Sequence, residues 1–357
     1  MLMPDLTPVF VELLVALLAG VLASLIAVPL CKRFGLIDHP GAAPHKQHVR
    51  PTPLAGGLVL GMSLMVLLVA YPGLMTGKMR GAILPAAIIL FFGLWDDRAR
   101  LSPLIKFAGQ FLAVGIAIYS GIQIEILSEV DLPGGTLLAQ ILNVALTVFW
   151  LVGITNAFNL IDSMDGIVAG LSTLASAFFI FVTLASGQVD LTLWAALLAG
   201  ISLALYFWNS PPARYFLGDS GVQTLGFLLA VLALLYNPTT QVQGSSWFAP
   251  ILIVGVPIFD TSLVVFSRLR RHSPPFKGNR DHTYHRLVRG GLNPSRAVSL
   301  LHIVALALDS LAIFAISQPP LVANLIFVFC LVTGLSLIYL FDFSEKFIPQ
   351  PTPQPGE

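Results

Sequence analysis

Apolar runs long enough to cross a bilayer recur along the whole chain, and no other feature narrows its possible folds as far. The runs fall at 8–30, 54–72, 81–95, 104–122, 138–157, 167–186, 190–208, 220–237, 247–267, 297–317 and 320–341. Most are about 18–22 residues long, the length an α-helix needs to traverse about 30 Å of hydrocarbon. In lipid, backbone N–H and C=O groups must pair within their own segment, so runs of this length read as helices. Only 10% of the 357 residues are charged and 56% are hydrophobic. A soluble domain carries about 25% charged residues. The expected fold is an all-α polytopic membrane protein of eleven transmembrane helices, ten by a stricter count. A single integral membrane domain would cover 1–345, with a disordered cytoplasmic tail at 346–357.

The breaks between runs carry turn chemistry: "YPG" at 71, "DLPGG" at 131, "SGQVD" at 186, "NSPP" at 209, "YNPTT" at 236 and "SQPP" at 317. The first residues, "MLMPDLTP", hold Asp5 and no Lys or Arg, the wrong flank for a cleavable secretory signal. Cys31 and Cys330 lie far apart and suggest neither a disulfide framework nor a zinc site. A net charge of +1 excludes a nucleic-acid-binding surface as the main business of the chain.

Charge distribution gives the sidedness. With the N-terminus outside, the loops after odd-numbered runs and the tail hold 17 of the 19 Lys and Arg residues, leaving only Lys78 and Arg80 on the other side. The positive-inside rule turns that asymmetry into an orientation. Five motif-bearing loops then share the cytoplasmic face: "HKQHVRPTP", "WDDRARLSPLIK", "TNAFNLIDSMDG", "ARYFLGDSG" and "PPFKGNRDHTYHRL".

Ionisable groups beside hydrocarbon are expensive and point to function. Asp96 and Asp97 are adjacent, so on a helix they point about 100° apart, and one can serve a metal while the other serves substrate. Close carboxylates repel, and a divalent cation or a proton relieves them. Oxygen donors without a His–Cys pattern favour Mg²⁺ over zinc. A solvated helix cap flanked by Arg98 and Arg100 reads the pair equally well. Asn156, Asn159, Asp162 and Asp165 recur every third residue, so on one helix neighbours share a face and present oxygens around its end. Capping explains one or two of these four, Asn156 above all. Asp219 sits between glycines at a helix start, where N–H groups can cap or receive phosphate. His45, His48, His282 and His285 stand near Lys46, Arg50, Lys277, Arg280 and Arg286, a mixture suited to a polyanion or to lipid headgroups. Gly57 and Gly61 read as helix-packing contacts. Taken together, the loops describe a site where a metal-bound pyrophosphate meets a lipid phosphate.

In order, "DHPGAAPHKQHVRPTPLAGG", "WDDRARLSPLIK", "NAFNLIDSMDG", "FLGDSG" and "PIFDT…RL" resemble signatures of the polyprenyl-phosphate N-acetylhexosamine-1-phosphate transferases. The branch using UDP-N-acetylglucosamine and undecaprenyl phosphate is the more similar one, ahead of the muramoyl-pentapeptide branch. The resemblance covers about residues 30–300 and implies Mg²⁺-dependent transfer of a sugar 1-phosphate from a UDP-sugar to undecaprenyl phosphate, releasing UMP, with Mn²⁺ as a substitute ion. It implies that Asp219 and Asn159 hold the metal, that Asp96 and Asp97 line the reaction centre, and that Asp162 lies close to it. Lys106 would contact phosphate and Asp165 the uracil or ribose. Arg280, His282 and His285 would face sugar and pyrophosphate. Asp260 matches the family without a role. The family's His-x-His-His reads "HTYH" here, with Tyr284 in place of a histidine, a departure that bears on the sugar.

The same resemblance sets the location, a bacterial cytoplasmic (inner) membrane, and is compatible with a homodimer. The rival reading is a secondary transporter, which concentrates ionisable groups near the midplane. Only Glu12, His302 and Asp309 have such depth here.

Overall fold

A computed structural model describes residues 6–40, 50–75, 77–128, 133, 135–238, 243–272, 281–344 and 347. The chain runs α1 (Thr7–Phe34), β1 (Ile37–Asp38), β2 (Thr52–Pro53), α2 (Gly56–Ala70), two 3₁₀ turns, α3 (Ile83–Ala99), α4 (Pro103–Tyr119), α5 (Gly135–Ile161), α6 (Ile167–Ala185), α7 (Val189–Asn209) and α8 (Gly218–Leu235). It continues through α9 (Gln243–Ser246), α10 (Ala249–Ile253), α11 (Gly255–Arg270), α12 (Thr283–Arg289), α13 (Pro294–Ile316) and α14 (Pro320–Phe343). His45, His48 and Arg280, with Lys46 and Lys277, lie outside the described residues.

Every one of the eleven apolar runs is helical, but not all as full-length spans. Among the described residues eight helices are long and apolar enough to cross a membrane, or nine if a bent pair counts as one. That pair replaces the expected straight run at 247–267. It is bent by 69° where α10 meets α11, at Val254–Gly255 with Pro257 just beyond, a sequence that interrupts helical hydrogen bonding. At 54–72 and 104–122 the helices α2 and α4 have only 15 and 17 residues, about 22–26 Å at 1.5 Å per residue. Tyr71, which precedes Pro72, leaves the helical region and stops α2. Gly121 turns left-handed after α4, the usual device for ending a helix.

Helix α8 is apolar on all sides, as a central helix must be, and its residues from Ser220 to Ala233 are all buried. It packs against α2, α3, α5 and α6, while α1 lies along α7. By contrast α14 turns Leu321, Leu325, Phe329 and Leu335 outward. At one end of the bundle the short β1–β2 pair, with Ile37 opposite Pro53, is stitched to the entry of α8. Phe216 N donates to Pro53 O (2.9 Å), and Ala55 N donates to Phe216 O (3.1 Å). The strands that flank residues 41–49 therefore stand beside the start of α8. Close backbone approach makes this possible: a Cβ on Gly57 or Gly93 would lie 2.0 or 2.4 Å from Ser220. Gly61 instead faces Leu90, so both glycines of "GLVLG" are packing contacts.

Candidate functional site

The last turn of α3, the first turns of α4 and α8, and the turn after α5 meet at this same end. Asp96 and Asp97 do point to different partners. Asp96 Oδ1 accepts from Leu101 N at 2.7 Å, closing the α3 C-terminus, and Oδ2 lies 2.6 Å from Lys106 Nζ. Lys106 also donates to Asp219 Oδ2 at 2.7 Å, so one ammonium bridges two carboxylates. Asp97 reaches across to α8, where it accepts from Asp219 N (2.7 Å), Ser220 N (3.2 Å) and the Ser220 hydroxyl. The helix start expected to be open to phosphate is thus capped by a carboxylate from another helix, a favourable placement of negative charge. Gly218, at φ 70°, makes room for it, since a Cβ there would lie 2.6 Å from Asp97 Oδ2.

The run Asn156–Asp165 does not form one helical face. Helix α5 ends at Ile161, which leaves Asn156 and Asn159 on the helix and Asp162 and Asp165 in the following turn. Gly166, at φ 80°, turns the chain into α6, and its N–H donates to Asn209 Oδ1 at 2.9 Å. Asn209 Nδ2 in turn donates to Tyr215 O at 3.1 Å, and Asp165 Oδ2 accepts from Ala213 N at 3.1 Å. These bonds fix the turn beside the entry of α8. Burial pushes the Asp162 carboxyl up to about 8, helped by the negative charges of Asp219, Asp165 and Asp97. The described residues provide Asn159 and Asp162 with no hydrogen-bond partner. Asn156 is no cap. It sits inside α5, where Nδ2 donates to Val152 O (2.8 Å) and to Gln110 Oε1 (2.7 Å).

The unassigned Asp260 acquires a structural role. Buried on α11, it accepts from Thr283 N (2.7 Å) at the start of α12 and pairs with His282 Nδ1 at 2.8 Å. A carboxylate at Nδ1 holds the proton there and turns Nε2 away as an acceptor in the neutral ring. The His285 ring lies 6.4 Å from that of His282, and the buried Tyr284 packs edge-on against His285 at 5.1 Å. Burial and the nearby Asp165 raise the Tyr284 phenol above its ordinary value.

Behind α12 lies a second polar cluster. The fully buried Arg286 donates through Nε to Asp281 O (2.8 Å), through Nη1 to Phe341 O (2.7 Å) and through Nη2 to Ser267 Oγ. Asp342, at the end of α14, takes Ser267 Oγ and Arg270 Nε and lies 3.4 Å from Arg271 Nη2. Asp281 lies 3.6 Å from Arg268 Nε and 3.4 Å from Arg271 Nη1. Phe347 packs on Phe341 at the back of this cluster.

Of the transporter candidates, His302 Nε2 pairs with Ile167 O at 3.2 Å. Asp309 is buried with no hydrogen-bond partner for either oxygen among the described residues. The two share α13 but make no common site. Sequence reading missed Ser220, Gln110 and Gln223. The last two were visible as amides inside apolar runs, Gln223 one helical turn after Asp219, and the expense of such residues in lipid is the signal that finds them.

The sequence profile of glycosyl transferase family 4 matches residues 79–237, the stretch that carries Asp96, Lys106, Asp162 and Asp219. The chain is 31% identical over 335 residues to the Bacillus subtilis (strain 168) protein named "Probable undecaprenyl-phosphate N-acetylglucosaminyl 1-phosphate transferase", covering 92% of this chain and 91% of that one. It is 31% identical over 337 residues to a decaprenyl-phosphate N-acetylglucosaminephosphotransferase of Mycolicibacterium smegmatis, covering 86% and 82%. It is 28% identical over 298 residues to the undecaprenyl-phosphate alpha-N-acetylglucosaminyl 1-phosphate transferase of Escherichia coli K12, covering 80% and 78%.

Proposed function

Because the chain belongs to glycosyl transferase family 4 and is a multi-pass membrane sugar-1-phosphate transferase, we propose that it transfers N-acetylglucosamine 1-phosphate from UDP-N-acetylglucosamine to undecaprenyl phosphate. UMP is released, and a lipid-linked sugar for envelope glycan synthesis is formed. The observation that carries this reading is the meeting of Asp96 and Asp219 on Lys106, with Asp97 bonded to the start of α8 and Asp162 close enough to feel the charges of Asp219 and Asp97. The names of the relatives support the sugar and a polyprenyl phosphate acceptor.

In this reading the shorter α2 and α4 and the bent pair are counted with the eight long helices as crossings, which makes eleven spans. The N-terminus is outside, and the end of the bundle with Lys106 faces the cytoplasm of a bacterial inner membrane. The water-soluble nucleotide and the laterally diffusing lipid phosphate meet there. A homodimer belongs to the same proposal.

Among the described residues no three acidic or histidine side chains close on one point, but the donor set suits a hard divalent cation by its chemistry. It is made of oxygens, holds more carboxylates than the single lysine offsets, and includes Asn159 and Asp162 without described partners. Asp219 and Asn159 would hold Mg²⁺, with Mn²⁺ as a substitute. When bound, the ion would neutralise the pyrophosphate and the departing UMP. Asp219 already faces Lys106, which would exchange a carboxylate for a substrate phosphate oxygen. Asp97 holds the start of α8, and with it Asp219, in register. Asp96 orients Lys106 at the reaction centre. Asp162, protonated through part of the neutral range, would hold a proton beside the reacting phosphates, and Asp165 would meet the uridine. His282, set by Asp260, and His285, with His45, His48 and Arg280, would face the sugar and pyrophosphate.

In the reaction an oxygen of the lipid phosphate forms a bond to the β-phosphorus, and the bond from that phosphorus to the bridging oxygen breaks, its electron pair leaving with UMP. The acceptor is mostly dianionic at neutral pH, so it needs no dedicated general base. The test is a panel of UDP-sugars assayed in detergent for Mg²⁺-dependent UMP release. UDP-N-acetylglucosamine is expected to be the preferred donor. Release only with another UDP-hexosamine would transfer the reading to that sugar, which the buried Tyr284 would favour. No release with any donor would overturn it. Trapping labelled sugar phosphate on the protein without acceptor would replace direct attack by a two-step route.

A further inference from the structure

Two buried amides, Gln110 and Gln223, and the half-buried Asn156 connect α5 to Asp219. Asn156 on α5 donates from Nδ2 to Val152 O (2.8 Å) and to Gln110 Oε1 (2.7 Å). Gln110 on α4 donates from Nε2 to Gln223 Oε1 at 2.9 Å, with a longer contact of 3.3 Å to Asn156 Oδ1. Gln223 on α8 donates from Nε2 to Asp219 Oδ2 at 3.1 Å. Gln110 and Gln223 are 3% and 4% exposed, so water does not substitute for these partners.

The direction of the relay follows from its ends. A side-chain amide can be flipped, and its orientation is read from its neighbours. Here one end is a backbone carbonyl and the other a carboxylate, and both only accept. With Nδ2 of Asn156 committed to Val152 O, the chain of donors runs one way and delivers an N–H to Asp219. It adds no charge. Lys106 bonds the same oxygen, Oδ2, so the described donors converge on one side of the carboxylate. Capping of α8, which Asp97 performs, does not require these amides, and polar side chains in an apolar interior are costly unless they act.

We infer that Gln223 and Gln110, backed by Asn156, are positioning residues that hold the Asp219 carboxylate in its working orientation. The inference rests on the metal-holding role proposed for Asp219. Groups that orient a metal-holding side chain typically matter by about 10- to 100-fold in affinity or activity. Gln223→Met and Gln110→Met keep the volume and remove the bonds. In the full-length protein each is expected to lower kcat or raise the Mg²⁺ concentration for half-maximal UMP release by about 10-fold or more, with KM for the UDP-sugar nearly unchanged. Values within about twofold of the parent protein would overturn the inference. Asn143→Ala breaks a comparable buried amide contact at the far end of α5, to Leu127 N (3.2 Å) and Ser128 Oγ (3.1 Å). It is expected to lower thermal stability without changing the Mg²⁺ dependence, and a matching kinetic change there would also overturn the inference.

A second readout needs no turnover. With EDTA present, the thermal-midpoint shift caused by Gln223→Met is expected to be smaller in an Asp219→Ala background, where only the bond to Gln110 is left to lose, whereas additive shifts would overturn the inference. If the parent protein released no UMP, the reaction reading would fall, and this cycle alone would decide the contact.

Discussion

Two polar clusters share one end of the helix bundle and carry opposite charge imbalances. Around α3, α4 and α8, Asp96 and Asp219 compete for Lys106, while Asp97, Asp162 and Asp165 add further negative charge. Around α11, α12 and α14, Arg268, Arg270, Arg271 and Arg286 surround Asp281 and Asp342. The second cluster closes on itself: Arg286 is fully buried, with hydrogen bonds from Nε, Nη1 and Nη2 to other segments. The first leaves Asn159 and Asp162 without described partners. A cluster whose buried arginine ties α11, α12 and α14 together holds a structure, whereas one left short of cation has room for a ligand. Substitutions should therefore cost stability in one and activity in the other.

The largest effect is expected at Arg286. Removing the guanidinium leaves the buried Asp281 O, Phe341 O and Ser267 Oγ short of a donor, and each such loss costs about 1–3 kcal/mol. Arg286→Met should sharply lower the thermal midpoint in detergent, and α12 with His282 and His285 should loosen with it. A midpoint near that of the parent protein would mean that the arginine cluster is not the scaffold described here.

The counterpart is Asp219→Asn. Loss of a pre-positioned charged group at a reacting phosphate typically costs about 10²–10³ in kcat. UMP release should fall by that order, while the thermal midpoint falls only modestly, because the favourable pairing of Asp219 is lost but Asp96 remains on Lys106. Near-normal turnover would break the distinction between the two clusters.

The apolar runs located every long helix and missed only the short α9 and α12, because spanning length and hydrocarbon solvation leave little else for such a chain to do. The charge count grouped the five loops on one face, and their described parts meet at one end of the bundle, while 41–49 and 273–280 lie outside the described residues. What stayed hidden was the distribution of tasks among neighbouring polar residues. "NAFNLID" reads as one helical face until Ile161 ends the helix, and local pattern does not mark that end. Asp97 acts as a cap for a helix 122 positions along the chain, a relation that no local spacing carries. Asp260 was visible only as a family match, since its partner His282 lies 22 positions away. Gln110 and Gln223 were legible in principle, and weighing each buried amide as heavily as each carboxylate would have found them.

A smaller, pH-dependent effect sharpens the contrast. The folded-state value of Asp162 is about 8 against an ordinary 3.8. The folded protein therefore binds this proton more tightly than the unfolded chain. Its contribution to stability is complete below about pH 4 and is lost as pH rises through about 8. Thermal midpoints measured with EDTA should converge for Asp162→Asn and the parent protein in acid and separate toward pH 9, with the variant higher. Parallel curves would show that Asp162 is not held among the other carboxylates.

The smallest effect calibrates the rest. Asn293 caps α13, its side chain accepting from Arg296 N at 2.8 Å with Pro294 at the first helical position. This cap is exposed and belongs to neither cluster. Asn293→Ala should cost about 1 kcal/mol, the usual value for a lost N-cap, and leave UMP release unchanged. It tells how far a plain loss of stability lowers turnover under the assay conditions. If this modest loss already reduced activity several-fold, the fall expected for Asp219→Asn would have to be corrected by that factor. If it did not, activity and stability are separable in this protein, and the opposite responses of the acidic and arginine clusters can be read directly.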